Sequence, residues 1–246
     1  MPTMARGSND PLRRRARWPR VLLFVLVASG TAMAFRQGLV LPILNPLPPI
    51  DLGQPRQWLV DWRLASIKYN PDICARTLKA PHIDAQPIPD SPMKDGCGWS
   101  NSVRLVAAGG ARVGFDKLTC EAAVALALWL EYEVQPLAKE ILGQTVRSVQ
   151  NYGSFSCRNI VGNPIWRNVR SQHASANAAD IGGFTLADGR TISVRTHWRG
   201  ENPEGRFLRA AHRVACPYFR VVLGPDYNAA HHDHFHLDRG PLSRCK

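Results

Sequence analysis

The sequence predicts an α+β domain over residues 58–246, a small, mostly antiparallel sheet with helices packed on one face. Three observations lead there. Residues 122–142 are rich in Ala, Leu, Glu and Lys, the composition of a helix. From residue 145 onward, short runs suited to strands alternate with turn signals. A chain of 246 residues, 45% hydrophobic and 20% charged, suits one domain with a real core plus a tail.

Along the domain, residues 58–118 carry turn signals at Asn70-Pro71, Pro87, Pro89, Pro92 and Gly96, which predict an irregular segment with short strands. The helix over 122–142 has Thr119 placed to cap its start and Gly143 to end it. Val124, Leu128 and Leu130 share one side, and Pro136 kinks the helix or splits it in two. Residues 145–152 read as a strand. Residues 183–194 read as a hairpin turning at Asp188-Gly189. Residues 203–215 form a helix with Pro203 in its first turn, and 220–223 and 235–238 are further strands.

The first 57 residues differ in kind. Residues 1–20 are a basic stretch, in which six arginines against Asp10 supply +5 of the chain's net +12. Residues 21–35 follow as an apolar run, the length of a signal-peptide core, with Ala32, Met33 and Ala34 offering a small-x-small cleavage pattern. An uncleaved anchor is the rival, because the apolar residues 38–43 extend the run past Arg36. Either way the basic side stays cytoplasmic and the domain is exported, to the periplasm, with the membrane met only through this N-terminal segment. Residues 36–57 hold Pro42, Pro46, Pro48, Pro49 and Pro55, which predicts an extended linker lifting the domain off the membrane. The remaining positive charge is thinly spread, without a lysine run or interleaved aromatics, and argues against a nucleic-acid partner.

Six cysteines occur, none in a CxxC or CxxH pair, so a thiolate zinc knuckle is excluded. Behind an export signal they predict three disulfides. Sequence does not choose among the pairings; the sequential set Cys74–Cys97, Cys120–Cys157 and Cys216–Cys245 is the simplest.

Four of the eight histidines fall in the tract HHDHFH, from His231 to His236. On a strand His234 and His236 share a face, with Phe235 and Leu237 turned to the core, which places the two imidazoles roughly 6–7 Å apart, right for a metal ligand and its neighbour. Upstream, SQHASANAADI from Ser171 to Ile181 sets His173 and Asp180 seven residues apart. Together the two elements offer imidazoles and a carboxylate. Two imidazoles and one carboxylate leave tetrahedral zinc with an open fourth position, the arrangement of catalytic sites.

These two motifs, in this order, resemble the extensin-like C-terminal family of bacterial proteins. That family is similar to the zinc peptidases of the lysostaphin, D-Ala-D-Ala carboxypeptidase and hedgehog group, which cut peptidoglycan cross-links. The resemblance runs over roughly residues 70–245. It implies a hedgehog/D-Ala-D-Ala peptidase-like fold, a Zn2+ cofactor held by His173, Asp180 and His236, and peptidoglycan peptides as substrate. It also implies that His234 is the catalytic base or transition-state stabiliser, that His231 is a further histidine near the metal, and that Arg158 grips the substrate. Where the motif has glycine this chain has Ala176, which is tolerable if φ stays negative there. Where many relatives place a carboxylate base this chain has His234, with Asp233 as the alternative base. The expected activity is hydrolysis of peptidoglycan amide bonds; the alternative is a non-catalytic, metal-containing module that binds cell wall.

Overall fold

A computed structural model describes residues 18–41, 44–55 and 57–246; the arginine-rich stretch 1–17 lies outside the described residues. Its frame is a nine-stranded sheet with helices on one face. The strands are β1 (Ile83–Ile88), β4 (Ser102–Ala108), β5 (Ala111–Thr119), β6 (Val146–Gly153), β7 (Ala178–Leu186), β10 (Phe235–Asp238), β9 (Val221–Leu223) and β11 (Arg244–Cys245), in that spatial order, with β8 (Thr191–Ser193) paired to β7. A separate hairpin joins β2 (Ser91–Lys94) to β3 (Cys97–Trp99). The ladders are antiparallel except β5–β6 and β9–β11. The sheet is mixed, and larger than the small one the sequence suggested.

The extra width comes from the segment that read as irregular. Residues 111–119 alternate buried and exposed, and Gly109 and Gly110, both at positive φ, turn the chain back from β4. A Cβ on Gly109 would lie 2.7 Å from the Glu131 amide nitrogen, so only glycine fits that turn. Two short helices, α2 (Val60–Ala65) and α3 (Pro71–Thr77), precede the sheet.

The long helix forms and is divided, as Pro136 requires. α4 (Cys120–Trp129) starts at Thr119, whose Oγ1 accepts from the Ala122 amide at 3.4 Å. A π-helical turn over Leu130–Val134 leads into α5 (Gln135–Leu142), which ends at Gly143 with φ 70°. Proline has no N–H to give and its ring crowds the preceding turn, so widening that turn keeps the helix continuous. All ten residues of α4 are buried, not one side only. α4 is therefore the core helix, and Trp129 Nε1 donates to the Ala211 carbonyl at 3.0 Å in α7 (Pro203–Val214). The short α6 (Val194–His197) links β8 towards α7.

Two expectations need correction. The disulfides are Cys74–Cys120, Cys97–Cys157 and Cys216–Cys245, so only the last matches the sequential set. Cys120 opens α4 beneath α3, and Cys97 on β3 meets Cys157 in the irregular segment that follows β6; neither proximity follows chain order. The proline-rich segment is also no free spacer. Ile50 and Leu52 are buried in the core, the Tyr132 hydroxyl donates to the Leu52 carbonyl at 2.6 Å, and Arg63 donates to the carbonyls of Pro48 and Pro49. Prolines forbid helix and central strand, yet leave their carbonyls and neighbouring apolar side chains free to dock.

A candidate metal centre

β7 and β10 pair antiparallel with Asp180 opposite His236 and Ile181 opposite Phe235. Directly paired residues point to the same side of a sheet. Asp180 and His236 therefore meet on one face, while Ile181, Phe235 and Leu237 are buried in the core.

His173 arrives from a 3-10 turn over Gln172–Ser175, just ahead of β7. Ser171 Oγ accepts from the His173 amide at 3.4 Å. The turn closes at Ala176, whose φ is +53°, not negative as the sequence reading required. A left-handed alanine costs roughly 1 kcal/mol or more. Its neighbours hold it there: the Ala176 amide donates to the His173 carbonyl at 3.2 Å, and its own carbonyl accepts from the Thr119 amide at 2.8 Å. This reversal folds His173 back over the start of β7.

Three donor atoms result at the corners of a near-equilateral triangle. His173 Nε2, Asp180 Oδ1 and His236 Nδ1 are each 3.1 Å from the other two. A tetrahedral zinc ion with bonds of about 2.0–2.1 Å needs its ligand atoms about 3.3 Å apart, so the triangle fits with a shift of tenths of an ångström. The residues are 2%, 9% and 7% exposed, which takes the centre off the surface. Among the described residues this is the one His/Asp/Glu/Cys cluster with metal-ligand spacing.

A fourth residue, Asp238, was given no role from sequence. Its Oδ2 lies 2.9 Å from His236 Nε2, and its Oδ1 accepts from the Gly240 amide at 2.8 Å. A carboxylate on Nε2 fixes the proton there and leaves Nδ1 free as the ligand atom. Position i+2 on the same strand was the available signal, because it shares the face of His236.

Electrostatics favour a cation here. Burial pushes against charge on Asp180, but its bonds to His173 and His236 win and hold the carboxyl far below the usual range. Burial likewise opposes charge on His236, yet Asp180 and Asp238 push the imidazole up to about 9. The pocket of donors thus prefers a positive charge at neutral pH. Two imidazoles and a carboxylate, with a second carboxylate behind one ring, can hold a divalent ion such as zinc.

Around the triangle stand the other expected residues. His234 precedes β10, with Nδ1 2.9 Å from Asp233 Oδ1 and Nε2 3.7 Å from Asp180 Oδ1. Asp233 and Asp180 thus lie at opposite nitrogens of the His234 ring. His231, in the 3-10 turn Ala229–His231, bonds through Nδ1 to Asn228 Oδ1 at 2.6 Å, and its ring lies 5.3 Å from that of His234 and 5.7 Å from that of His236. Burial, then the neighbouring His236 and His234, push its imidazole down to about 4, so it is neutral. Arg158, His231, His234 and His236 all line one cavity of about 380 Å³.

Tyr152 was missed as a neighbour of this group. Its ring lies 6.1 Å from that of His234, and a Cβ on Gly182 would fall 2.2 Å from the tyrosine ring. Gly182 is what lets the aromatic lie across β7. Tyr227 lines the cavity and meets the His231 ring at 5.7 Å, while Trp198 packs in the core against His212 and Phe235. His232 is largely exposed.

Residues 72–246 match the family described as extensin-like protein C-terminus. The chain belongs to that family. No curated protein and no solved structure matches it. The extensin-like domain thus covers all of the sheet, α3 but for its first residue, α4 to α7 and all three donors, while α2 and the segment before it lie upstream of the matched region.

Proposed function

We propose that this extensin-like domain is a zinc-dependent hydrolase of amide bonds in peptidoglycan peptides, an endo- or carboxypeptidase of the bacterial periplasm. The observation that carries the reading is the Asp233–His234 pair beside the donor triangle: an imidazole aimed at the centre without being needed as a ligand. A zinc ion at the triangle would supply a Lewis acid for a scissile carbonyl and lower the pKa of water. His234 accepts a proton at Nε2 while Asp233, on Nδ1, stabilises the imidazolium that forms. His231 donates its Nδ1–H to Asn228 Oδ1 and keeps Nε2 as an acceptor for a substrate N–H. Arg158 supplies the cavity with positive charge for a substrate carboxylate or a developing oxyanion. Its hydrogen bond among the described residues is a long one, 3.5 Å to the Asn159 carbonyl, so its donors are available.

A second reading shares the metal centre and drops the chemistry: a cell-wall-binding module whose ion fastens the 173-turn to β7 and β10. The deep burial of all three donors favours it, because a structural ion needs no access. The two separate on incubating the full chain, in detergent, with purified cross-linked muropeptides. Disappearance of cross-linked dimers, abolished by a chelator, supports the hydrolase. Unchanged dimers after long incubation with zinc-loaded protein support the module.

A further inference from the structure

The first helix, α1 (Trp18–Arg36), is long and apolar enough to cross a membrane, has no acidic residue in its first turn, and buries none of its residues. Its last turn behaves differently. The Phe35 ring stacks on Trp62 with centroids 6.2 Å apart, and Arg36 Nε lies 3.6 Å from Asp61 Oδ2. The Arg36 guanidinium also donates to Ser243 Oγ, and the Arg36 carbonyl accepts from Arg220. Asp61 is the hub of this junction, taking Arg220 Nε at 2.8 Å and Arg239 Nη1 at 2.6 Å. Next along the chain, Gly38 (φ 71°) presses its backbone onto α2; a Cβ there would lie 2.2 Å from the Ala65 carbonyl oxygen.

The chain therefore has little slack between helix and domain. The helix exit is docked at Asp61 and Ser243, and by Ile50 and Leu52 the chain is already packed into the core. In the chain just after Arg36 and just before its partner Asp61 come Leu39, Leu41, Leu44, Trp58 and Leu59, each 45–67% exposed. Such a collar is costly in water and ordinary at the edge of a bilayer, where tryptophan is enriched. Its continuity with α1 identifies what covers it.

We propose that α1 is retained as an anchor and that the domain is seated on the surface of the membrane α1 crosses, with these five side chains entering the interfacial layer. Ser243 and Arg244 line the cavity that holds His231, His234 and His236, and Ser243 touches the last residue of the helix. The cavity is thus held beside the bilayer, and its ligands are those that reach the membrane surface. This rests on reading α1 as a span and not on the hydrolase reading.

The test uses the full chain recovered from membranes and placed in nanodiscs of phosphatidylethanolamine and phosphatidylglycerol, with or without bromine near the top of the acyl chains. The emission lost between wild type and Trp58→Phe is that of Trp58, an exposed side chain whose replacement leaves the fold intact. The intact mass should include α1, and brominated lipid should quench most of the Trp58 emission. A mature chain beginning at Phe35 overturns the proposal. So does Trp58 emission that brominated lipid leaves unchanged, the result expected if the collar instead awaits a protein partner.

Discussion

Asp238 grips His236 by Nε2 at 2.9 Å and thereby turns Nδ1 towards His173 and Asp180. Ligand and orienting group are two residues apart on one strand, so the coordination geometry is built into the pleat of β10. Replacing Asp238 by Asn keeps the shape but weakens the grip. Zinc affinity, read by competition with a chromophoric chelator, should fall by about 10–100-fold. Affinity equal to wild type would mean the strand alone orients the ring. Asp180→Ala, which removes a ligand, should lose most of the zinc and leave a folded domain.

Two of the disulfides join segments far apart in the chain, Cys74 of α3 to Cys120 of α4 and Cys97 of β3 to Cys157 in the loop after β6. Cys74–Cys120 spans 46 residues and Cys97–Cys157 spans 60. Proteolysis without reduction, followed by mass spectrometry, should find these two cross-linked peptides and no Cys74–Cys97 peptide. Loops of this size imply roughly 4 kcal/mol of stability for each bond at most, so reduction should lower the unfolding midpoint sharply.

What the sequence made legible was local. His234, Phe235, His236 and Leu237 alternate with the period of a strand, and Thr119, Pro136 and Gly143 mark one helix and its break. The β4–β5 hairpin was legible too, since residues 111–119 alternate behind Gly109 and Gly110, but the prolines just upstream drew the reading towards irregular structure. The pairing of Asp180 with His236 was of another kind: 56 residues separate them, and no local preference sets a register between distant strands. The motif brought them together only by resemblance. Two of the three expected cysteine pairs failed for the same reason. Ile50 and Leu52 were overlooked because prolines exclude helix and strand without saying anything about burial.

The Asp61 hub predicts an acid-sensitive junction. Burial would raise its carboxyl, but Arg239 and Arg220 outweigh that and hold it below the usual range. A lowered folded-state pKa contributes stability that is present above the unfolded value, about 3.9, and lost as pH falls through the folded one. Asp61→Asn leaves Arg239, fully buried, with Glu121 as its remaining carboxylate. Urea unfolding at pH 7 should show the variant about 3–5 kcal/mol less stable. That gap should narrow as pH falls below about 4, where wild type loses the same charge. A gap independent of pH would assign the loss to packing.

His234 separates a catalyst from a binder. It stands outside the triangle, with Asp233 on one nitrogen and the centre facing the other, so a variant lacking it retains every ligand. His234→Ala should keep zinc stoichiometry while muropeptide hydrolysis falls by about two to four powers of ten, the usual contribution of a positioned acid–base group. Asp233→Asn should cost less, since it removes only the support of the imidazolium, and His236→Ala should lose zinc and hydrolysis together. If hydrolysis survives in His234→Ala and fails in Asp233→Ala, the aspartate is the base and the histidine its spacer. Loss of zinc from His234→Ala as readily as from His236→Ala would instead place His234 in the coordination shell, and the 3.7 Å that now separates its Nε2 from Asp180 Oδ1 would have to close on binding.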